Sequence, residues 1–166
     1  AGASHTLDAT GALLETVLAL PGGASVTIPS GSTDRTWSYP NMAGSVAATA
    51  DETGTKTGDT HIYDPYGNVL QGGVPDNREG NLDGGWLGSV GTDTGSALQL
   101  IQMGARVYAP ILGRFLQVDP VMGGSANDYE YGGGDPINNA DRAGTESDLV
   151  AIAILQAIMP FIWIAM

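Results

Sequence analysis

The sequence predicts an all-β domain built from short antiparallel hairpins. Three observations carry that prediction. Glycine and proline number 25 and 9 in 166 residues, so uninterrupted elements must be short. Short apolar segments recur between turn residues along most of the chain, the pattern of a many-stranded antiparallel domain. Hydrophobic residues make up 42% and charged residues only 14%, which leaves a core to bury and excludes a solvated disordered chain.

The elements follow in order. Leu13 to Leu20 fits strand or helix by periodicity, and its flanking Gly and Pro clusters favour a strand. Ala24 to Ile28 alternates apolar and polar and stops at Pro29-Ser30-Gly31, a half-buried strand. Thr36 to Tyr39 and Ser45 to Ala50 are two more, and Asp51-Glu52-Thr53-Gly54 is a hairpin turn with Gly54 supplying a positive φ. Thr60 to Tyr63 is a strand closed by Asp64-Pro65-Tyr66-Gly67. There an Asp side chain can bond the backbone ahead of it, Pro sets φ, and Gly takes the left-handed position. Gln71 to Gly85 reads as loop, with Asp76 to Glu79 and Asn81 to Gly84 as solvated acidic stretches. Trp86-Leu87-Gly88 is a short apolar anchor, and Ser89 to Ala97 is polar again. Leu98 to Met103, Ala105 to Tyr108 and Gly113 to Val118 are strand candidates, the last delivering Asp119 at its end. Asn127 to Tyr131 is short and alternating, and Asp135 to Asn139 is a turn.

The charge balance restricts function. Six Lys and Arg against 18 Asp and Glu give a net charge of −12. Nucleic acid is excluded as a partner because phosphate binding needs a basic face, and an anionic membrane surface is disfavoured for the same reason. There is no cysteine, hence no disulfide framework and no thiolate metal site. His5 and His61 stand far apart, outside any metal-ligand spacing, and read as ordinary surface histidines. Asp76 to Gly84 matches no calcium-loop series. No cofactor and no metal are expected. Ala1 to Asp8 has neither a basic region nor an apolar run, so no signal peptide is read there.

Three segments carry a family resemblance. Trp37-Ser38-Tyr39-Pro40-Asn41-Met42-Ala43-Gly44-Ser45-Val46 looks like a hairpin of the RHS/YD-repeat proteins, and Tyr63-Asp64-Pro65-Tyr66-Gly67 looks like the YD repeat itself. Met103-Gly104-Ala105-Arg106-Val107-Tyr108 through Asp119-Pro120 resembles the longer and more specific RHS repeat-associated core motif. Together they span about two thirds of the chain, Trp37 to Gly144. The resemblance implies that the hairpins form the last turns of a spiralling β-shell, the carboxy-terminal end of a bacterial polymorphic-toxin shell that is secreted or displayed at the cell surface. Residues 1–36 would be leading hairpins, 37–144 the YD-repeat and core region, and 145–166 a tail. The implied partners are the rest of the RHS shell or a toxin cargo.

The resemblance also implies a chemistry. In the family two Asp-Pro-x-Gly units stand 18 residues apart, and the chain is cut just past the second. Here Asp119-Pro120-Val121-Met122 is followed by 18 residues, Gly123 to Ala140, and then by Asp141-Arg142-Ala143-Gly144. Two close carboxylates cannot both ionise and so share a proton. One can activate water while the other polarises a carbonyl. The expected activity is a single-turnover aspartic autoprotease with Asp119 and Asp141 as the pair, Arg114 orienting a carboxylate, and the cut between Gly144 and Thr145. Met122, Arg142 and Thr145 depart from the family's Gly, Pro and Leu. Arg142 beside Asp141 is expected to pair with it and lower its pKa. Read from the residues themselves, both aspartates are turn formers only, and that reading stands ahead of self-cleavage. Arg106 and Arg114 are expected to pair internally with carboxylates.

Leu149 to Met166 has 18 residues and no charge. As a helix it would be roughly 27 Å long, just short of a bilayer core. Pro160 would kink it near its end, and no basic residue flanks it. It reads as a short apolar helix packed in the shell or against a partner. The alternative is a membrane-anchored or self-assembling surface scaffold with no proteolytic activity, using residues 149–166 as anchor or assembly segment.

Overall fold

The computed structural model describes residues 2–79, 82–88, 91–95, 97–121 and 127–145. The apolar tail and Met122 lie outside the described residues. The chain divides into two compact units, 1–100 and 101–166, and the described strands are antiparallel. Among the described residues no helix is long and apolar enough to cross a membrane.

The first unit opens with a six-stranded meander in chain order: β1 (Ala3–Leu7), β2 (Leu13–Ala19), β3 (Ser25–Pro29), β4 (Thr36–Pro40), β5 (Val46–Ala50) and β6 (Lys56–Thr57). Short linkers force each strand to pair with its predecessor, as antiparallel hairpins require. Opposed residues include Val17 and Thr27, Val26 and Trp37, and Trp37 and Ala50. Two further hairpins follow, β7 (Ile62–Tyr63) with β8 (Val69–Gln71) and β9 (Leu82–Gly84) with β10 (Gly91–Asp93). Val17, Val26, Val46, Ala50, Trp86 and Leu87 are buried in this unit. Val26 and Thr27 are both buried, so β3 is covered on both faces rather than half-buried.

Among the described residues one turn recurs at Asp8, Asn41, Asp51 and Asp64. In each, the side-chain Oδ1 accepts the backbone N–H two and four residues ahead. The same residue's N–H donates to the carbonyl four ahead, and its carbonyl accepts from the residue three ahead. That third residue is glycine each time, at φ between 81° and 88°, where a side chain would be strained. Sequence alone points to this chemistry at Asp51 and Asp64. At Gly67 there is a second constraint, since a Cβ there would lie 2.6 Å from the Trp86 ring.

Several strands go beyond the sequence expectation. β1, β6, β9 and β10 are mostly polar or small, and β8 (Val69–Gln71) is only three residues long, so none carries enough alternation to mark it in the sequence. The stretch from Gln71 to Gly85 is not a solvated acidic loop: Asn77 and Asp83 are buried. Asp83 Oδ1 accepts the N–H groups of Asn77 and Arg78, and Thr94 Oγ1 donates to its Oδ2. Glu15, 0% exposed on β2, accepts from Thr6 Oγ1 and from the Glu79 N–H. Two buried carboxylates thus satisfy three consecutive backbone donors and tie this segment to β2 and β9. His61 is likewise buried, its Nδ1 3.0 Å from the Gly73 carbonyl, whereas His5 is at the surface. Burial at these positions is permitted because each polar group finds a partner.

The second unit holds β11 (Ile101–Met103), β12 (Arg106–Ala109) and β13 (Arg114–Phe115) in sequential antiparallel pairing. A 3₁₀ turn at Pro110–Leu112 links the last two and ends in Gly113 at φ 62°. Its core is apolar and aromatic: Ile101, Met103, Tyr108, Phe115 and Tyr131 are 0–1% exposed. Tyr108 meets Phe115 edge-on at 5.5 Å between centroids and Tyr131 at 4.9 Å. The Gly113 to Val118 strand is shorter than expected, and Asn127 to Tyr131 contributes one bridge, Arg114 to Glu130.

Candidate active site

Three segments converge in the second unit. Arg106 opens β12 immediately after the tight Gly104–Ala105 turn, Asp119 lies four residues past β13, and Asp141 starts a turn. Arg106 Nη2 lies 2.9 Å from Asp119 Oδ2 and 3.0 Å from Asp141 Oδ2, and all three side chains are 2% exposed. The two carboxylate oxygens therefore sit within two hydrogen-bond lengths of each other, with a cation between them.

Each aspartate divides its oxygens. Asp119 Oδ1 accepts the Val121 N–H at 2.8 Å, and Asp141 Oδ1 accepts the Thr145 N–H at 3.1 Å. Both Oδ2 atoms face Arg106. The turn reading and the paired-carboxylate reading thus apply to different oxygens of the same groups. Residues 141–145 repeat the Asp-x-x-Gly-x order of the hairpin turns and keep the side-chain bond to the fourth residue ahead. At Asp141 the N–H donor is directed at Oδ2. At Asp119 Oδ2 no N–H is directed, so that contact is ionic and leaves a buried oxygen with no hydrogen bond.

The Gly144–Thr145 peptide bond lies inside this cluster. Arg106 Nε donates to the Gly144 carbonyl oxygen at 2.6 Å, while the amide nitrogen on the other side of the bond faces Asp141. One peptide therefore has a cation at its carbonyl oxygen and a carboxyl group accepting from its N–H. Gly144 has φ 64° and a buried position; a Cβ there would run into the Met103 carbonyl, and one at Gly104 would run into the Ala143 carbonyl. Ala105 N–H donates to that Ala143 carbonyl at 2.9 Å. The segment is therefore threaded against the β11–β12 turn by backbone packing that only glycine permits.

Burial pushes the Asp141 carboxyl above its ordinary value, against the opposing pull of the Thr145 N–H and of Arg106. The expected lowering by Arg142 is therefore not found: Arg142 is exposed, and desolvation outweighs the charge partner, which is Arg106. Arg106 also donates from Nη1 to the Asp128 carbonyl at 3.0 Å, and its guanidinium carbon stands 3.6 Å from the Phe115 ring centroid. A planar cation with several fixed donors suits this position better than a lysine would.

Of the residues singled out from sequence, Asp119, Asp141, Gly144 and Thr145 come together. Arg114 does not join them; it is exposed, with its guanidinium 4.8 Å from the Tyr129 ring centroid. The cation of the site is Arg106, to which the sequence assigns only a general pairing role. One signal pointed to it: a chain with six basic residues places one of them directly after a Gly-Ala turn at the start of a strand. Among the described residues no group of three or more His, Cys, Asp or Glu is gathered as a metal site.

No protein-family model and no curated protein matches the chain. Solved structures do match. A crystal structure of TcdB2-TccC3-TEV superposes with a TM-score of 0.58 at 24% identity, over 84% of this chain and 7% of that one. A crystal structure of TcdB2-TccC3 without its hypervariable C-terminal region superposes with a TM-score of 0.52 at 22% identity, over 84% of this chain and again 7% of the other. The likeness shows the fold, all-β with antiparallel hairpins, and this chain spans a small part of the length of those proteins.

Proposed function

We propose that this chain is the carboxy-terminal core of an RHS-type toxin shell and that it cuts itself once, between Gly144 and Thr145. The shell reading rests on the fold shared with the TcdB2-TccC3 chains. The cleavage reading rests on one observation: the Gly144–Thr145 peptide is held between the Arg106 guanidinium at its oxygen and the Asp141 carboxyl at its nitrogen, with Asp119 across the guanidinium.

In this mechanism Asp119 is the base, because its Oδ2 carries no directed hydrogen bond. Asp141 is the acid that protonates the leaving nitrogen, a role its raised pKa favours. Arg106 stabilises the oxyanion. The core would remain part of the shell, and residues from Thr145 onward would be released as cargo or its leading segment. A secreted or surface location follows from the same reading.

Intact mass of the chain, beside an Asp119→Asn variant, tests the proposal. The expected result is loss of all mass after Gly144 in the wild type and a whole variant. If both stay whole, the aspartates serve only their turns and Arg106, and the chain is a scaffold that keeps its tail.

A further inference from the structure

We propose that Gln117 is a positioning residue for the cleavage: its side chain clamps the segment that carries Asp119 to the strand that carries Arg106, and so sets the base against the cation. This rests on the self-cleavage reading above and adds a residue that lies outside the charged cluster.

The clamp is a hydrogen bond that regular strand pairing does not supply. β12 and β13 pair Tyr108 with Phe115 and Ala109 with Arg114, so Val107 stands opposite Leu116. Leu116 donates its N–H to the Val107 carbonyl at 2.9 Å. A regular antiparallel pair of this kind exchanges two bonds, and the second would run from the Val107 N–H to the Leu116 carbonyl. Here the Val107 N–H donates to Gln117 Oε1 instead, at 2.7 Å. The side chain stands in for a ladder bond at the point where the chain leaves the strand.

That point lies between the two charged groups. Val107 directly follows Arg106, and Gln117 comes two residues before Asp119. β13 ends at Phe115, and Leu116, Gln117 and Val118 are all exposed before Asp119 turns into the interior. Past the exposed stretch, the Asp128 carbonyl accepts both the Asp119 N–H, at 2.9 Å, and Arg106 Nη1, at 3.0 Å. Before it, the Gln117 side chain ties the chain to the residue next to Arg106. The two ties together fix where Asp119 enters relative to the guanidinium. A single exposed bond from side chain to backbone adds little to stability. A base displaced by about 1 Å loses on the order of a hundredfold in rate. The effect of Gln117 therefore falls on the rate of cutting and not on folding.

The test follows intact mass of the full chain over time, with urea unfolding alongside, for wild type, Gln117→Met and Gln117→Glu. Methionine keeps the length and removes the acceptor, whereas glutamate keeps an acceptor oxygen. Gln117→Met should cut about tenfold to a hundredfold more slowly with its unfolding midpoint nearly unchanged, and Gln117→Glu should cut near the wild-type rate. Amide exchange at Val107 should quicken in Gln117→Met and not in Gln117→Glu, which reads the clamp without reference to cleavage. Asp51→Ala, a turn variant in the first unit, should lower the midpoint and leave the rate alone. If the rate simply follows the midpoint across these variants, or if Gln117→Glu is as slow as Gln117→Met, the positioning role is overturned. If the wild type cuts and Gln117→Met cuts as fast, this inference falls and the self-cleavage reading stands. If the wild type never cuts, both fall.

Discussion

Replacing Arg106 by methionine removes the one cation between two buried carboxylates, and the size of the effect can be worked out. The variant loses the bond from Nε to the Gly144 carbonyl, the bond from Nη1 to the Asp128 carbonyl, and the contacts from Nη2 to Asp119 and Asp141. It keeps a hydrophobic stem against Phe115. Removing one partner of a buried ion pair costs about 3–5 kcal/mol, because the remaining charge is stranded without water. For a chain of this length that is a Tm lower by about 10 °C. The loss should depend on pH in a definite direction. Burial already holds Asp141 above its unfolded value, and without Arg106 that displacement grows. A carboxyl whose folded pKa is raised favours the folded state in acid and loses that advantage as pH climbs through the folded value. The gap between variant and wild type should therefore widen from about pH 4 to about pH 8. Urea unfolding at both ends of that range measures it. Adding Asp119→Asn and Asp141→Asn to Arg106→Met should recover most of the loss, since no charge is then stranded. A single-variant loss below about 1 kcal/mol, or a gap that narrows with rising pH, would overturn the account of the site as a buried, cation-centred cluster.

Other outcomes follow from the same structure. Asp83→Asn should flatten the chain's stability profile above about pH 4, because burial raises the Asp83 carboxyl and its contribution is fullest in acid and fades as pH rises through the folded value; urea midpoints across the range read this directly. Asp64→Ala removes the acceptor of the Tyr66 and Asn68 N–H groups and should cost about 1–2 kcal/mol, measured as a shift in the unfolding midpoint. Gly144→Ala forces a Cβ into the Met103 carbonyl at a positive φ and should cost about 1–3 kcal/mol. It should also slow the proposed cleavage by drawing the peptide away from Arg106, and intact mass with a thermal melt reports both effects.

Much of the architecture and most of the site are legible along the chain. Alternation in Val26 to Ile28 and Thr36 to Tyr39, bounded by Pro and Gly, is enough to place β3 and β4, because strand pairing of this kind is a local pattern. Asp51 and Asp64 declare their turns because the bonds they make reach only four residues ahead. The spacing of Asp119 and Asp141 in a recognisable motif marks the two carboxylates. Which cation stands between them is settled by folding. Arg114 and Arg106 are equally basic in the sequence, and strand register sends one to the surface over Tyr129 and the other into the core. Burial of Glu15, His61 and Asp83 is hidden for the same reason. A polar residue is admitted to the interior when distant backbone donors and acceptors meet it, and those partners are set by folding rather than by neighbours in the chain. The direction of the Asp141 pKa likewise depends on desolvation, which no adjacent residue reveals.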